Sequence, residues 1–313
     1  MDVTLTITHG DKIQYPVIQD GIQWETERKG APGKLTFKIL KTQDALNVQE
    51  GDQVAMMYGN QKVFFGFVFS KQRNKDGIIT ITAYDQLRYF KNKHIYVYEN
   101  WTTGALLKKI CADFQLQWGN VEDTKYPITR TEDNQTLFDI IQNSLDETIM
   151  ATGEMYVLYD DYGKLALKNI NSMTTDLLID EETAQNFDYK SSIDDNTYNR
   201  IVLYDDSGNS YPAWDSKTMN EWGILQFVDK VDDTTTAKTK AKALLKLYNE
   251  KTRTLQIKGA FGDTRVRGGS LVVVHLNLGD MILKNYMLVE KVTHNFSEGN
   301  YTMDLTVRGG TFV

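Results

Sequence analysis

The stretch Phe64-Phe65-Gly66-Phe67-Val68 lies inside a pattern, residues 50–82, that the chain repeats over residues 267–305. Each copy has a glycine turn, a strand, a second strand, a polar turn that ends in glycine, and a strand in which apolar and polar residues alternate. A gapless alignment superposes four pairs: Gly77 with Gly299, Phe65 with Met287, Ile79 with Tyr301 and Ile81 with Met303. An internal duplication of this kind predicts two similar domains in one chain.

The composition limits the classes of protein to which the chain can belong. The chain has 313 residues of which 41% are hydrophobic, enough for a core and for about two domains. A single cysteine excludes an internal disulfide, which is typical of a reducing compartment. The net charge of -7 argues against a nucleic-acid-binding surface. No apolar run approaches the roughly 18–20 residues of a membrane helix, and residues 1–7 alternate like a strand rather than a signal peptide.

Residues 1–96 are predicted to be mostly strand, because apolar and polar residues alternate between turn signals. Closely spaced strands of this kind indicate a barrel or a sandwich. The predicted strands contain Val3, Leu5 and Ile7, then Leu35, Phe37 and Ile39 after the turn Ala31-Pro32-Gly33, and then Val54–Tyr58, Val63–Phe69 and Ile78–Ala83.

At Trp101 the period changes to that of a helix, and residues 97–190 are predicted to form a small α+β insertion. The first helix runs over Thr103–Phe114 with Thr103 as N-cap. The other predicted elements are a helix at Gln135–Glu147 and a hairpin of Met155–Tyr159 with Leu165–Leu167.

Residues 191–313 are predicted to form a second β-rich domain, so that the three domains are 1–96, 97–190 and 191–313. Its predicted elements are a strand at Ile201–Tyr204, an amphipathic helix at Thr235–Asn249, a strand at Thr252–Ile257 and the second copy of the repeat.

The histidines and the cysteine do not form a site with recognisable spacing. His275 and His294 could meet across a sheet, but a zinc site usually needs three or four ligands, so hydrogen-bonded histidines are favoured. Cys111 lies on the apolar stripe of a predicted helix, which favours a buried, inert thiol over a nucleophile. Gly268-Gly269 precedes a strand rather than a helix, which argues against a phosphate loop.

Acidic pairs could serve as the two carboxylates of a glycosidase. They stand beside turn residues, which favours solvated turns, and Asp232-Asp233-Thr234 could instead begin a helix. The pairs are Asp160-Asp161, Asp194-Asp195, Asp205-Asp206 and Asp232-Asp233. The sequence therefore predicts no catalytic residue, no cofactor and no metal.

Four patches together resemble a known family. They are Gly51-Asp52-Gln53-Val54 with Phe65-Gly66-Phe67-Val68, residues 82–90 leading into the helix at Thr103, residues 155–165, and Gly268-Gly269-Ser270-Leu271-Val272 with Val292-Thr293-His294. In their order and spacing they resemble the baseplate hub proteins of contractile phage tails and tail-like bacteriocins. The resemblance is to the hub type of Gram-positive phages and prophages, distant relatives of the late control gene D product and the T4 hub.

The resemblance implies a β-rich α+β fold, with two similar tail-tube-like β-barrel domains separated by the small insertion. It implies a homotrimer whose six barrels form a ring around a channel and join the hexameric tail tube to the trimeric spike. A structural, non-enzymatic role in the baseplate of a virion or tail-like particle follows, with assembly in the bacterial cytoplasm.

The implied partners are the tail tube protein, the central spike protein, other baseplate proteins and the tape-measure protein, with no nucleic-acid specificity and no stable membrane insertion. The residues predicted at the barrel or ring interface are Val54, Phe65, Phe67, Phe69, Val272, Val274, Tyr286 and Val289. Two alternatives are a tail adhesin that binds carbohydrate through aromatic residues of the insertion, and a tail-associated cell-wall hydrolase.

Overall fold

A computed structural model describes residues 3–40, 48–194, 196–231, 234–279 and 282–309. The chain divides into two compact units. The first contains Met1–Asp188 and Gln256–Arg308, and the second centres on Tyr189–Leu255. The first unit therefore contains residues of all three predicted domains, and the three-domain organisation stays a prediction.

The described elements follow one another along the chain. The first are β1 (Val3–His9), β2 (Lys12–Gln14), β3 (Ile18–Glu27), β4 (Lys34–Leu40), β5 (Gln53–Tyr58), β6 (Gln61–Arg73), β7 (Ile78–Tyr84), a 3-10 helix (Gln86–Lys91) and β8 (Lys93–Trp101). The next are α1 (Thr103–Asp113), β9 (Trp118–Val121), β10 (Ile128–Thr136), α2 (Leu137–Thr152), β11 (Tyr156–Asp160), β12 (Leu165–Asn169), a 3-10 turn (Ile170–Met173), β13 (Thr174–Ile179) and β14 (Asn186–Ser192). The last are β15 (Arg200–Tyr204), β16 (Ser210–Trp214), α3 (Ser216–Trp222), β17 (Gln226–Lys230), α4 (Ala237–Tyr248), β18 (Thr252–Phe261), β19 (Leu271–Asn277), β20 (Ile282–Ser297) and β21 (Asn300–Gly309).

The repeated pattern forms two antiparallel meanders, β5–β6–β7 and β19–β20–β21. Both carry the same backbone contact at the entrance to the first strand. The N–H of Gly51 donates to the carbonyl of Val68 at 2.8 Å, and the N–H of Gly269 donates to the carbonyl of Val289 at 2.8 Å. Val68 and Val289 are therefore equivalent positions in the two copies.

This equivalence corrects the gapless alignment of the two copies. Counting back from the two valines, Phe65 corresponds to Tyr286 and not to Met287. The reason is that the turns after the middle strands differ in length. In the first copy Asn74 donates to the carbonyl of Ile78, whereas Ser297 already pairs with Asn300 in the second.

One path of paired strands connects the two copies. Strand β20 pairs with β3 in antiparallel register, from Lys291 opposite Glu27 to Phe296 opposite Ile22. The order along the 13-stranded sheet is β14-β18-β21-β20-β3-β4-β7-β6-β5-β1-β2, with β19 beside β20 and β13 beside β19. The predicted β-rich α+β class is confirmed, and the closure of each copy into a separate barrel stays a prediction.

The alternation in the first part of the chain buries one side of each strand, as predicted. The core under the first meander contains Leu5, Ile7, Leu35, Phe37, Ile39, Val54, Met56 and Ile81, and these side chains are at most 5% exposed. Every second side chain of each strand is buried on the same face. This alternation fixes the register of the strands, because a shift by one residue would expose the apolar face to water.

The α+β part has its own core, in which α1 and α2 pack on strands β8 to β12. The cap of α1 is Thr102 rather than the predicted Thr103. The hydroxyl of Thr102 accepts from the N–H of Ala105, and Thr103 is buried with its hydroxyl 2.7 Å from that of Ser144. Helix α2 begins at Leu137 after a capping box of Thr136 and Asp139.

The second unit is a small sheet with a helix on it. Strand β15 lies between β16 and β17, and the apolar residues of β15 and of the amphipathic helix α4 form its core. Asn199 is fully buried: its amide donates to the carbonyl of Gly223 at 2.7 Å and its side-chain oxygen accepts from the N–H of Leu225 at 2.9 Å. Asp195 and the predicted helix start at Asp232-Asp233 lie outside the described residues.

Candidate functional site

Three segments that are far apart in sequence meet beside the β3–β20 pair. They are the end of β7 with Asp85, the end of β11 with Asp160, and the turn before β19 with Arg267. We call these three residues the charged junction. A cleft runs past it and is also lined by Trp24, Phe65 and Tyr159.

Asp85 holds two turns in place. One carboxylate oxygen accepts from the N–H of Gly33 at 2.9 Å, and the other accepts from the N–H of Leu87 at 3.0 Å, where it caps the first 3-10 helix. Burial, and then the carboxyl of Asp160, raise the pKa of Asp85 well above its ordinary value. Because both oxygens are occupied by backbone donors, the group acts as a structural acceptor.

Asp160 closes the β11–β12 hairpin. Its carboxylate accepts from the N–H of Gly163 at 2.6 Å and from the side-chain amide of Gln86 at 3.4 Å. Burial raises the pKa of Asp160 to about 6. The prediction of a solvated turn residue was therefore wrong for Asp160, because the α+β part packs its hairpin against the first meander. The turn sequence alone carries no signal for that packing.

Arg267 connects the second copy to the same hairpin. Its guanidinium donates to the backbone carbonyl of Asp160 at 3.0 Å and lies 4.5 Å from the ring centre of Tyr159. It also lies over the ring of Trp24, at 5.9 Å. The cation therefore connects three parts of the first unit through one hydrogen bond and two aromatic faces.

An aromatic stack lies across the β3–β20 pair. The ring centres of Trp24 and His294 are 4.5 Å apart, and those of Phe296 and Tyr301 are 4.2 Å apart. His294 donates from Nε2 to the carbonyl of Val266 at 2.9 Å and accepts at Nδ1 from the hydroxyl of Tyr301. Burial lowers the pKa of His294 to about 3, so the ring is neutral at physiological pH.

The other reactive groups do not form a site with this one. His275 is exposed on β19, whereas His294 is buried and its two nitrogens are occupied. Burial raises the pKa of the Cys111 thiol to about 12, so the thiolate is scarce at neutral pH. Across the residues that the structure describes, no group of three or more His, Cys, Asp or Glu could hold a metal ion. Within the same residues, no helix combines the length and the apolar character that crossing a bilayer requires.

The eight residues predicted at an interface fall into two sets. Val54, Val272, Val274 and Val289 are fully buried by the chain's own atoms, and their place at the barrel or ring interface stays a prediction.

The other four retain exposed surface. Phe65 packs beside Tyr162, with ring centres 5.8 Å apart, and Phe69 packs beside Tyr84, at 5.6 Å. Phe67 is partly buried and Tyr286 is 47% exposed. Their role at a ring interface stays a prediction.

Sequence reasoning did not find the charged junction. Asp85 and Arg267 stand in ordinary strand-end contexts, and only their long-range contacts distinguish them. A glycine beside Arg267 is the sequence signal that could have indicated a close contact here. At Gly268 an added Cβ would lie 2.3 Å from the backbone of Glu27, so a close approach of two chains is required there.

A family model described as YQBQ-like matches residues 22–308. A curated relative, the phage-like element PBSX protein XkdQ of Bacillus subtilis (strain 168), is 28% identical over 306 residues, which covers 93% of this chain and 92% of that protein.

Two solved structures share the fold over almost the whole chain. The tail protein from Neisseria meningitidis MC58 has a TM-score of 0.74 at 12% identity and covers 100% of this chain and 98% of that one. The 43 kDa tail protein of prophage MuSo2 from Shewanella oneidensis has a TM-score of 0.70 at 16% identity and covers 97% and 98%. At these identities the likeness shows the fold alone.

Proposed function

This chain belongs to the YQBQ-like family, and on that premise we propose that it is a structural protein of a phage tail. The relative XkdQ belongs to a phage-like element, and the two solved structures with this fold are tail proteins. The shared fold extends over both copies of the repeat and the α+β part, because each structure covers nearly all of the chain. The proposed place of action is a virion or a tail-like particle, after assembly in the bacterial cytoplasm.

Within the tail we assign it the hub position in the baseplate. Three copies form a ring of pseudo-six-fold symmetry that joins the hexameric tail tube to the trimeric spike and encloses the central channel. The observation that supports this assignment is the duplication, in which two meanders carry the same backbone contact at Gly51 and at Gly269. A chain with two similar units matches six-fold and three-fold partners when three copies close into a ring.

The proposed partners are the tail tube protein, the central spike protein, other baseplate proteins and the tape-measure protein. The proposed role is structural rather than enzymatic. The carboxyls of the charged junction support this, since Asp85 and Asp160 accept hydrogen bonds from backbone N–H groups that hold turns together.

The mass of the purified protein tests the hub assignment. We expect light scattering to give three times the subunit mass of 35.9 kDa and negative-stain images to show rings with a central hole. Disruption of the gene in the producing strain should yield particles without joined tube and spike. A protein that stays monomeric at high concentration and is also absent from purified tail particles would refute the proposal.

A further inference from the structure

Strand β3 completes the second copy of the repeat within the chain. It pairs with the last part of β20, and the N–H of Arg28 donates to the carbonyl of Glu290 at 2.8 Å. Ion pairs reinforce this edge: the guanidinium of Arg28 lies 2.8 Å from the carboxylate of Glu290, and Lys291 lies 3.1 Å from Glu27. Because backbone groups alternate along a strand, Val292 and His294 also turn their N–H and C=O groups towards β3.

Strand β6 has the same edge in the first copy. Both middle strands carry a bulge at the same place, between Val68 and Ser70 in β6 and between Val289 and Lys291 in β20. From the equivalence of Val68 and Val289, the residues of β6 that correspond to Glu290, Val292 and His294 are Phe69, Lys71 and Arg73.

The backbone groups of this part of β6 point away from β7. The N–H of Asn74 donates to the carbonyl of Ile78, so alternation turns Ser70 and Gln72 towards β7 and Lys71 and Arg73 to the opposite side.

No described strand pairs with that side of β6. The pairing of β5 ends with Gln53 opposite Phe67, and β6 is bonded to β5 and β7 only, as far as the structure describes the chain. Ser70 to Arg73 are exposed. An open strand edge is a template for another strand, and exposed Lys and Arg limit unspecific pairing at such edges.

Strand β14 is the topological counterpart of β3. Next to the first copy the strand order is β7, β4, β3, and next to the second copy it is β21, β18, β14, where β14 is the last strand on the path. Among the described residues, β6 thus has an open acceptor edge, and the terminal strand β14 stands in the position that corresponds to that of the donor strand β3.

We infer that β14 of a second copy of this chain pairs with the Phe69–Arg73 edge of β6, as β3 pairs with β20 within one chain. The inference rests on the proposed function and specifies its subunit contact. Each subunit donates β14 to one neighbour and accepts β14 from the other, which is a head-to-tail contact that closes into a ring. In a ring of three copies, three β3–β20 pairings within chains then alternate with three β14–β6 pairings between chains.

Proline at the acceptor edge tests this contact. Lys71→Pro removes an N–H that no described strand uses, whereas it leaves the β6–β7 hydrogen bonds intact, and proline is tolerated on such edges. Lys71→Ala is the matched control, because it removes the same side-chain contacts to Val48 and Glu50 but retains the N–H. We expect the mass of Lys71→Pro to fall to one third of the wild-type value at equal concentration, and Lys71→Ala to remain trimeric.

The donor strand is tested in the same way. The N–H of Gln185 donates to the carbonyl of Lys258 at 3.0 Å, so alternation turns the N–H of Asp188 away from β18. We expect Asp188→Pro to be monomeric and Asp188→Ala to be trimeric. Thermal unfolding shows whether each variant is folded. Arg73→Pro replaces Lys71→Pro if that variant does not fold, and Asn186→Pro replaces Asp188→Pro in the same case.

A mixing experiment gives the decisive result. Lys71→Pro retains an intact donor and Asp188→Pro retains an intact acceptor, so their mixture should form a one-to-one heterodimer, whereas each variant alone should not dimerise. Trimers of folded Lys71→Pro and Asp188→Pro, or a mixture that stays monomeric, would overturn the strand assignment and leave the proposed function standing. Wild-type protein that forms no ring alone or in tail particles would overturn both.

Discussion

At the scale of single residues, the charged junction places two carboxyls in an environment that disfavours their charge. Asp85 is buried and Asp160 is half-buried, and their pKa values are raised by burial first. Backbone N–H groups and Arg267 offset part of this effect. The junction therefore stabilises the fold more strongly when Asp160 is protonated than when it is ionised.

We predict that Asp160→Asn removes a pH dependence of stability. A carboxyl whose pKa is raised to about 6 in the folded protein binds a proton there that the unfolded chain has released above about pH 4. The stability contribution of Asp160 is thus present below about pH 4 and lost as the pH rises through about 6. Relative to wild type, the variant should gain about 1–3 kcal/mol in free energy of unfolding between pH 4 and pH 7.

Urea unfolding of both proteins at several pH values measures this difference. His294, whose pKa is lowered to about 3, destabilises the fold as the pH falls below about 6.5, but it is present in both proteins and cancels in the comparison. A difference between wild type and Asp160→Asn that is constant from pH 4 to pH 7 would show that Asp160 is not perturbed.

At the scale of elements, the turn before β19 and strand β3 approach each other at backbone distance. The N–H of Gly268 donates to the hydroxyl of Thr26 at 3.0 Å, and there is no space for a side chain between Gly268 and Glu27. This contact brings Arg267 to the hairpin of the α+β part. The glycine is therefore a requirement of packing between elements.

We predict that Gly268→Ala destabilises the protein by about 1–3 kcal/mol, the usual range for overpacking, because the new methyl group would meet backbone that cannot rotate away. The measurement is the midpoint of urea unfolding. Gly119→Ala is the matched control, since the nearest atom to an added Cβ there is the Cβ of Lys164 at 3.3 Å, compared with 2.3 Å to the backbone of Glu27 at Gly268. Equal effects of the two substitutions would contradict the close approach at Gly268.

Elements with a strong local period could be predicted from sequence, and contacts between elements could not. The alternation of Leu35, Phe37 and Ile39 and the apolar stripe of α4 determine both the type of element and its buried face. The N-cap of α1 was predicted one residue too late, at Thr103 instead of Thr102. The two threonines are chemically equivalent, and only the burial of Thr103 distinguishes them.

The charged junction shows the limit of such predictions. Its residues are brought together by the pairing of β20 with β3 and by the docking of the hairpin, and neither has a signature in local sequence. The repeat could be recognised in the sequence, but the correct alignment of its two copies could not. The turns after β6 and β20 differ in length, so a gapless alignment pairs the wrong residues of the middle strands.

At the scale of the whole molecule, the two copies of the repeat depend on each other. Strand β3 precedes the first copy in sequence, yet one of its edges is satisfied by β20 of the second copy and its Trp24 stacks on His294. The end of the first copy is likewise covered by the α+β part, where Phe90 is fully buried beside Phe138. The first unit should therefore fold as one cooperative body.

We predict that the fragment of residues 1–96 does not fold when it is expressed alone. It lacks β20 and α2, so it exposes an open edge on β3 and the side chains of Trp24 and Phe90. We expect aggregation or the absence of a cooperative thermal transition in circular dichroism, with the full chain as control. A soluble fragment with a sharp transition would instead establish 1–96 as an independent domain.

The pairing of β3 with β20 also has a consequence for how fast and how completely the proposed ring could assemble. Two ring units that belong to one chain pair at a high effective concentration, which the polypeptide itself sets. Two units on separate molecules pair only as often as the molecules collide. Each pairing within a chain also avoids the roughly 4–15 kcal/mol of translational and rotational freedom that an association step loses. Covalent fusion of two ring units thus lets a closed ring form from a scarce protein, at dilutions where separate units would remain apart.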